Sequence, residues 1–411
     1  MNPLLKIIVG GCLLSVGSAA SASEKTPQVF DFSLRDIPIY AESATAETSD
    51  AASNHEFDPS LQIRAADPTW LGDRISFGGD TVNSNGDYRG SLDLAAKGIT
   101  GGSDALSLRY NRFLAGHAEG SNHGFGFGYS FPSRFGAINV NGNLSDYEDS
   151  VTGGGRKYQI SGDRQAVDAS LRRHMFELGD LRFDALMGLA AQANTAFTEG
   201  ERVDDASRHL SSFWFETQMN CEIGVFGTSA FSSVSVKRGL TSLGADRDPW
   251  PGTDIDAEYR KYTVLGSLKQ PLGRWNWGLN GQYQYSPDII PGSQYMLVAG
   301  PAQISGFGGQ GAYSQQGGWL RLEASSPWFP LLMLSNIHSS VRLSLLKGWV
   351  APTEHQPDLW GSASAAEIAL QLKSKGLTAG LRVGRMLGDS LSVMQKPDTP
   401  DVSLTLSISL K

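Results

Sequence analysis

The sequence predicts an all-β fold, a transmembrane antiparallel β-barrel of about 16 strands. Apolar and polar residues alternate in many short segments from Arg74 to the last residue, and this period of two places successive side chains on opposite faces of a strand. The number of segments is even, as in bacterial outer-membrane barrels. The N-terminus has the composition of an export signal. These three features predict a protein of the bacterial outer membrane.

Residues 1–22 resemble a secretory signal peptide. A weakly basic start precedes a short apolar stretch, and residues 20–22 form the small-residue cleavage site Ala-Ser-Ala. Residues 9–12 loosely resemble a lipoprotein cleavage box, but the apolar stretch continues beyond Cys12. Removal of the signal would leave Cys221 as the only cysteine, so no intramolecular disulfide could form. We expect barrel closure to stabilise the chain instead.

Residues 23–70 are predicted to form a short periplasmic head and a flexible linker. The tract 41–54 is small, acidic and of low complexity, so it can bury little apolar surface. A head of this length lies below the usual size of an independent domain, about 50 residues or more.

The barrel is predicted to occupy residues 71–411. Its alternating segments lie near 74–82, 88–97, 104–113, 122–131, 135–147, 156–176, 181–196, 208–225, 228–238, 256–270, 275–286, 317–328, 337–350, 364–375, 377–387 and 402–411. Strands of about 9–11 residues cross a membrane when they are tilted, so these segments are long enough.

The two faces of the segments differ in a way that suits a membrane barrel. One face is apolar, and the other carries Ser, Thr, Gly, Arg, Glu and Gln, as expected for lipid outside and a polar lumen inside. Aromatic residues cluster at segment ends, where they would form interfacial girdles: Tyr129, Phe131, Trp214, Phe215, Trp275, Trp277, Trp328, Phe329 and Trp349. The alternative is an array of β-sandwiches in which the apolar face forms a core.

The composition argues against several classes of function. The chain carries 34 Lys and Arg against 42 Asp and Glu, a net charge of −8, and no basic run, so nucleic acid is not an expected partner. No histidine lies in a metal-binding motif, and neither a nucleophile elbow nor a Walker loop occurs. We therefore expect no catalysis, no cofactor and no bound metal.

The longest connection, residues 287–311, follows the eleventh segment. Loops of this length within a compact domain are usually functional. This loop is also too apolar for a solvated tip, because it contains Met296, Val298, Ile304 and Phe307. We expect it to fold back against the barrel wall.

The loop also carries a family resemblance. Residues 297–307, Leu-Val-Ala-Gly-Pro-Ala-Gln-Ile-Ser-Gly-Phe, resemble the I-G-G-x-x-x-V-R-G-F motif of two-partner secretion transporters, the ShlB/FhaC/HecB family of haemolysin secretion and activation proteins. Residues 317–323 are similar to the strand after that motif, and residues 91–94 and 104–108 to the family's first hairpins. The resemblance covers roughly residues 70–411.

The resemblance implies a site inside the barrel. In the family the loop after strand eleven enters the lumen, and here its tip would be Ser305, Gly306 and Phe307. Ser305 replaces the tip Arg of the family, and Leu346 replaces its partner, an Asp on the inner face of strand thirteen. Loss of both members leaves neither charge buried alone. Leu346 is then the expected inner-wall seat for the loop, and the alternative is that the tip is an ordinary extracellular turn.

The resemblance further implies a function. The chain would be an outer-membrane translocator that exports, or assists export of, a large secreted β-rich partner protein. Outer-membrane lipid and the barrel-assembly machinery are its other expected partners. The family places periplasmic POTRA domains before the barrel, and residues 23–70 are too few for a typical pair, so we expect them to be lacking. Two alternatives remain: a passive pore or degenerate structural barrel, and a surface-binding barrel that acts as a receptor or adhesin.

Overall fold

The structure is a computed structural model of the chain. It describes residues 75–84, 87–100, 104–115, 121–153, 156–203, 207–223, 227–246, 257–308, 310–331, 334–353, 359–374, 377–391 and 394–408. The predicted signal peptide and head, residues 1–22 and 23–70, lie outside this part of the chain.

The described residues form strands almost throughout. The strands are β1 (Ile75–Ser84), β2 (Asp87–Lys97), β3 (Ala105–Ala115), β4 (Ser121–Ser133), β5 (Gly136–Gly153), β6 (Arg156–Leu178), β7 (Leu181–Thr198), β8 (Glu201–Arg202), β9 (His209–Ile223), β10 (Thr228–Leu240), β11 (Arg260–Leu272), β12 (Trp275–Tyr285), β13 (Met296–Ala299), β14 (Ala312–Ser314), β15 (Gly317–Ser325), β16 (Phe329–Leu331), β17 (Leu334–Val350), β18 (Gly361–Ser374), β19 (Leu377–Asp389) and β20 (Asp401–Ile408). One 3₁₀ turn covers Gly292–Gln294.

The long strands form one closed antiparallel sheet. Each pairs with the next along the chain, and β1 pairs with β20, so the sheet closes on itself. The closing seam joins Thr81–Ser84 to Ser403–Leu406. Strands β13 and β14 form a separate hairpin, and β8 and β16 are short additions to the wall.

The predicted barrel is confirmed. Each alternating segment coincides with one of the sixteen long strands of the described chain, and β12, which precedes the long loop, is the eleventh of them. The prediction missed the short strands β8, β13, β14 and β16, because two to four residues are too few to show a period of two. Among the described residues, no helix is long and apolar enough to span a membrane.

The outer face of the wall is apolar. Exposed large side chains recur at every second position, as in Phe125 and Phe127 of β4, Leu279 and Tyr283 of β12, and Leu343 and Leu345 of β17. The residues between them point inward and are largely small or polar, for example Ser344 between the two leucines of β17. Lipid on the outside explains why so many large apolar side chains are not covered by protein.

The connections at the two ends of the barrel differ in length. One end, here called the turn end, carries mostly tight turns such as 134–135, 179–180 and 273–274. The other, the loop end, carries the connections 241–259, 286–316, 351–360 and 390–400. Outer-membrane barrels place short turns in the periplasm and long loops outside the cell, so the loop end corresponds to the extracellular side.

Candidate functional site

The connection 286–316 starts at the loop end and turns back into the barrel. It forms a hairpin, β13 and β14, whose first strand β13 contacts the inner wall at β15 and β17. Val298 and Ala299 are fully buried, although they lie in a loop. The inward-folding loop predicted after strand eleven is therefore present.

Hydrogen bonds fix the base of the loop to the wall. The side-chain amide of Gln284 on β12 donates to the carbonyls of Gln294, at 3.1 Å, and Gln315, at 3.2 Å. Gln315 in turn donates to the carbonyl of Asp288 at 2.8 Å. Buried peptide groups need hydrogen-bond partners. In this loop the side-chain amides of Gln284 and Gln315 provide the donors that a neighbouring strand would provide in a sheet.

An ion pair at the rim also holds the base of the loop. The Arg260 guanidinium donates to both carboxylate oxygens of Asp288, at 2.9 Å each. These bonds hold the pKa of Asp288 below its usual value. The loop therefore starts from a charged anchor and continues into an apolar interior.

Two wall glycines let the loop backbone lie directly on the strands. A Cβ atom at Gly348 of β17 would overlap the carbonyl group of Val298. One at Gly384 of β19 would overlap the carbonyl group of Ser305. Any larger side chain at either position would push the loop away from the wall.

The tip, residues Ser305, Gly306 and Phe307, lies against β19. Gly306 has φ +122°, which L-residues other than glycine rarely adopt, and a Cβ atom there would lie 2.5 Å from the backbone nitrogen of Arg385. Phe307 is completely buried, whereas Ser305 is half-buried. The structure thus places all three predicted tip residues inside the barrel.

Two carboxylates bind the backbone of the tip. Glu367 on β18 accepts a hydrogen bond from the Ser305 N–H at 2.9 Å. Asp401, the first residue of β20, accepts from the N–H groups of Gly306, at 2.7 Å, and Gly308, at 2.9 Å, through the same oxygen. Hydrogen bonds of this charged kind are roughly twice as strong as neutral ones. The tip is held through its peptide groups and not through a charged side chain.

Leu346, the predicted seat, belongs to the buried apolar cluster that contains Phe307. The cluster joins the loop to β17, β18, β19 and the connection 390–400, and its members are Met296, Val298, Ala299, Ile304, Phe307, Ala312, Leu346, Val350, Leu359, Ala363, Ala365, Met386, Leu391 and Met394. The inner wall beneath Ser305 and Gly306 is instead β19, at Gly384 and Arg385. The apolar cluster around Phe307 is therefore wider than the single residue that the sequence indicated.

The connection 390–400 covers the tip from the loop end. Gln310 and Gln395 form two reciprocal hydrogen bonds of 2.8 Å, between the side chain of Gln310 and the main chain of Gln395. Pro397 lies beside Gly308, and a Cβ atom on Gly308 would stand 2.8 Å from the Pro397 ring. The tip is enclosed by wall on one side and by this connection on the other.

Glu367, Asp401 and Gly384 were missed by the sequence reasoning. Glu367 carried a usable signal, since it is the one acidic residue on the inward face of β18 and stands there between Ala365 and Ala369. A lone acid on such a face indicates a specific partner. Asp401 and Gly384 carried no such signal, because Asp401 only starts a strand and glycines are frequent throughout the barrel.

The rest of the lumen is polar and charged. Lys261 of β11 donates to the carbonyl of Gln294, at 3.2 Å. Towards the turn end, Asp184 is fully buried and accepts hydrogen bonds from Arg172, at 2.6 Å, and Arg182, at 3.2 Å. Within the part of the chain that the structure describes, no three His, Cys, Asp or Glu side chains are grouped to hold a metal.

The sequence of this barrel matches one family over most of its length. The family is described as haemolysin secretion/activation protein ShlB/FhaC/HecB, and its sequence model matches residues 61–368. The chain belongs to this family. The predicted family resemblance is therefore confirmed.

Curated relatives carry related names. Two proteins named outer membrane transporter CdiB, from Escherichia coli and Dickeya dadantii (strain 3937), are each 25% identical to the chain, over 69% and 82% of it and over 50% and 59% of their own lengths. The hemolysin transporter protein ShlB of Serratia marcescens is 25% identical over 72% of this chain and 52% of its own. The chain spans about half the length of the curated relatives it matches.

Solved structures agree on the fold. CdiB from Escherichia coli has a TM-score of 0.70 at 20% identity, covering 85% of this chain and 68% of that one. CdiB from Acinetobacter baumannii has a TM-score of 0.66 at 16% identity, covering 81% and 59% respectively. Together with the relatives' names, these comparisons confirm that this family member is a β-barrel of the bacterial outer membrane.

Proposed function

We propose that this barrel is the translocator of a two-partner secretion system, which exports, or assists export of, a large secreted β-rich protein. The observation that carries the proposal is the docked loop. A loop of this length enters the lumen, and two wall carboxylates bind the backbone of its tip. Family membership supports the same function.

In this proposal the chain does no bond chemistry. The polar lumen offers a path, and folding of the partner outside the cell supplies direction. The loop and the connection 390–400 act as the gate, with Ser305, Gly306 and Phe307 at its tip and Leu346 in its apolar seat. A signal peptide at residues 1–22 and a periplasmic head at 23–70 would deliver the chain and flank the barrel on the periplasmic side.

The strength of the docked state suits a gate that opens for a partner. Each backbone hydrogen bond to a carboxylate contributes about 1.5–3 kcal/mol, and burial of Phe307 contributes about 1.5–3 kcal/mol more. The lumen can hydrate the released groups, which reduces the net cost of undocking. A long partner chain that makes several contacts along the lumen can supply free energy of this size.

Co-expression tests the proposal directly. If a neighbouring gene encodes a large exported β-rich protein, the chain is expressed with that protein, which is then measured in the medium. A form lacking residues 294–311 is compared with the parent, and bilayer conductance is recorded for both. We expect secretion with the parent only, and higher conductance for the deletion.

Two other results would favour the alternatives. Open-channel conductance in the parent without secretion would favour a passive pore. Unchanged conductance after the deletion, with no secretion by either form, would favour a surface-binding barrel whose partners are captured at its exposed loops.

A further inference from the structure

A cleft lies at the loop end of β17, β18 and β19, beside the start of the connection 390–400. It measures about 550 Å³, and its lining includes Lys347, Trp349, Trp360, Ser362 and Ser390. The cleft therefore combines an amine, two indole rings and two hydroxyl groups. None of these side chains takes part in docking the loop.

The alternation of the strands shows that this cleft faces outward. On β17, Leu343, Leu345 and Lys347 are exposed, while the residues between them are buried towards the lumen. Trp349 follows on the same face, and its partner across the ladder is Ser362 of β18. Lys347 is thus the point where the lipid-facing leucine row ends at the loop end of the wall.

A second cation faces the same patch. Arg385 of β19 is exposed and alternates with the exposed Val383 and Leu387. It lies level with Leu345, because the ladder pairs Leu345 with Ala366 and Ala366 with Arg385. Lys347 and Arg385 therefore stand two strands apart, and Arg385 lies two residues, roughly 7 Å, further from the loop end. Only the small side chains of Ser364 and Ala366 on β18 lie between them.

Two other outward-facing cations of the wall have carboxylate partners. Arg238 of β10 lies 3.4 Å from Glu258, and Arg260 of β11 lies 2.9 Å from Asp288. Within the described residues, neither Lys347 nor Arg385 has an ion-pair partner. Two uncompensated positive charges next to the apolar outer face call for an anion from the surroundings.

We infer that this cleft binds the phosphate-bearing head group of an outer-leaflet lipid. The lysine and arginine match phosphate in charge and in hydrogen-bond donors. Trp349 and Trp360 are of the residue type that is enriched where a bilayer meets water, and Trp360 is 58% exposed. The acyl chains of such a lipid would lie along the leucine row of β17.

The test measures lipid retained by the purified full chain. The protein is equilibrated with phosphatidylcholine vesicles that contain bis-phosphorylated lipid A or its dephosphorylated form, then recovered, and bound lipid is quantified by mass spectrometry. The variants are Lys347→Gln combined with Arg385→Gln, and the matched control Arg238→Gln. Heat-dependent gel migration verifies that each variant is a folded barrel.

We expect the parent and R238Q to retain the phosphorylated lipid and to release the dephosphorylated one. Each cation that faces anionic lipid contributes roughly fivefold in affinity, so the double variant should bind the lipid about 25-fold more weakly and retain correspondingly less. Equal retention by a folded double variant, or equal retention of both lipids by the parent, would overturn the inference. Displacement of the lipid by inorganic phosphate alone would show a free-anion site and would overturn the assignment to a lipid.

Discussion

Replacement of Asp401 by alanine should release the tip of the loop. The carboxylate accepts hydrogen bonds from the N–H groups of Gly306, at 2.7 Å, and Gly308, at 2.9 Å. Alanine would leave both peptide groups without this acceptor while it removes no apolar contact of Phe307. Hydrogen bonds to charged groups contribute about 1.5–3 kcal/mol each.

The size of the effect follows from these two bonds. Water in the lumen can replace part of what is lost, so the lower end of the range applies, about 3 kcal/mol in total. A free-energy change of about 3 kcal/mol corresponds to roughly a 100-fold shift in the equilibrium between docked and released loop. The glutamate at 367 still holds Ser305, so the release stays partial.

Thiol labelling in intact cells measures this release. A Ser305→Cys substitution in a Cys221→Ser background reports access of a bulky impermeant reagent to the tip. Ser242→Cys, at an exposed position after β10, reports full access. Labelling at 305 should be slow in the parent and up to about 100-fold faster with Asp401→Ala. Asp398→Asn, an exposed acid in the connection 390–400, is the control and should change nothing. Equal, slow labelling with and without Asp401 would refute the reasoning.

Three further predictions concern the wall and the base of the loop. Gly384→Val should speed labelling at Ser305→Cys, because the valine side chain would occupy the place of the Ser305 carbonyl group. The control is Gly388→Val on the outward side of the same strand. A Cβ atom there meets only Ser364, at 3.9 Å, so labelling should not change. Deletion of residues 402–411 should abolish membrane insertion and heat-dependent gel migration, because β1 and β19 would lose their partner strand and expose edges. Normal insertion of the shortened chain would contradict closure of the barrel through β20. The depressed pKa of Asp288 means that its bond to Arg260 stabilises the loop base above the ordinary Asp pKa of about 4 and is lost as the pH falls through the lower folded value. Because thiol reactivity itself falls with pH, labelling at Tyr295→Cys is expressed relative to labelling at Ser242→Cys at the same pH. This ratio should rise in acid for the parent, while Asp288→Asn should show the high ratio already at neutral pH.

The barrel wall could be predicted because its two environments impose a period of two. Lipid selects large apolar residues such as Leu343 and Leu345, and the lumen selects small or polar residues such as Ser344. This contrast repeats over every strand, so a few deviating residues do not hide it. The inward course of the loop was predictable for a related reason, since Val298 and Phe307 are too apolar to remain in water.

The partners of the tip could not be predicted from the sequence. Ser305 and Glu367 are separated by 62 residues, and Gly306 and Asp401 by 95. Such pairs depend on the register of several strands at once, and a shift of one residue would turn the carboxylate to the lipid. The position of the loop against Gly348 and Gly384 has the same origin, because each is one glycine among 48.

The geometry of the tip explains how the loop docks without the arginine that the resemblance assigns to position 305. The carboxylates of Glu367 and Asp401 require hydrogen-bond donors, and these donors do not have to belong to a charged side chain. Here three peptide N–H groups of the loop supply them. Peptide groups bring no net charge, so Ser305, at the position where the resemblance implies arginine, leaves no cation to be compensated, and Leu346 can add apolar contact at the position where it implies an acid. Docking of the tip then depends on the backbone conformation instead of on a side-chain charge. Gly306 must keep its φ of +122° and its close approach to Arg385. In this chain the specificity of docking therefore lies in Gly306, Gly384 and the two carboxylates. A search for an oppositely charged pair of side chains would not identify these positions.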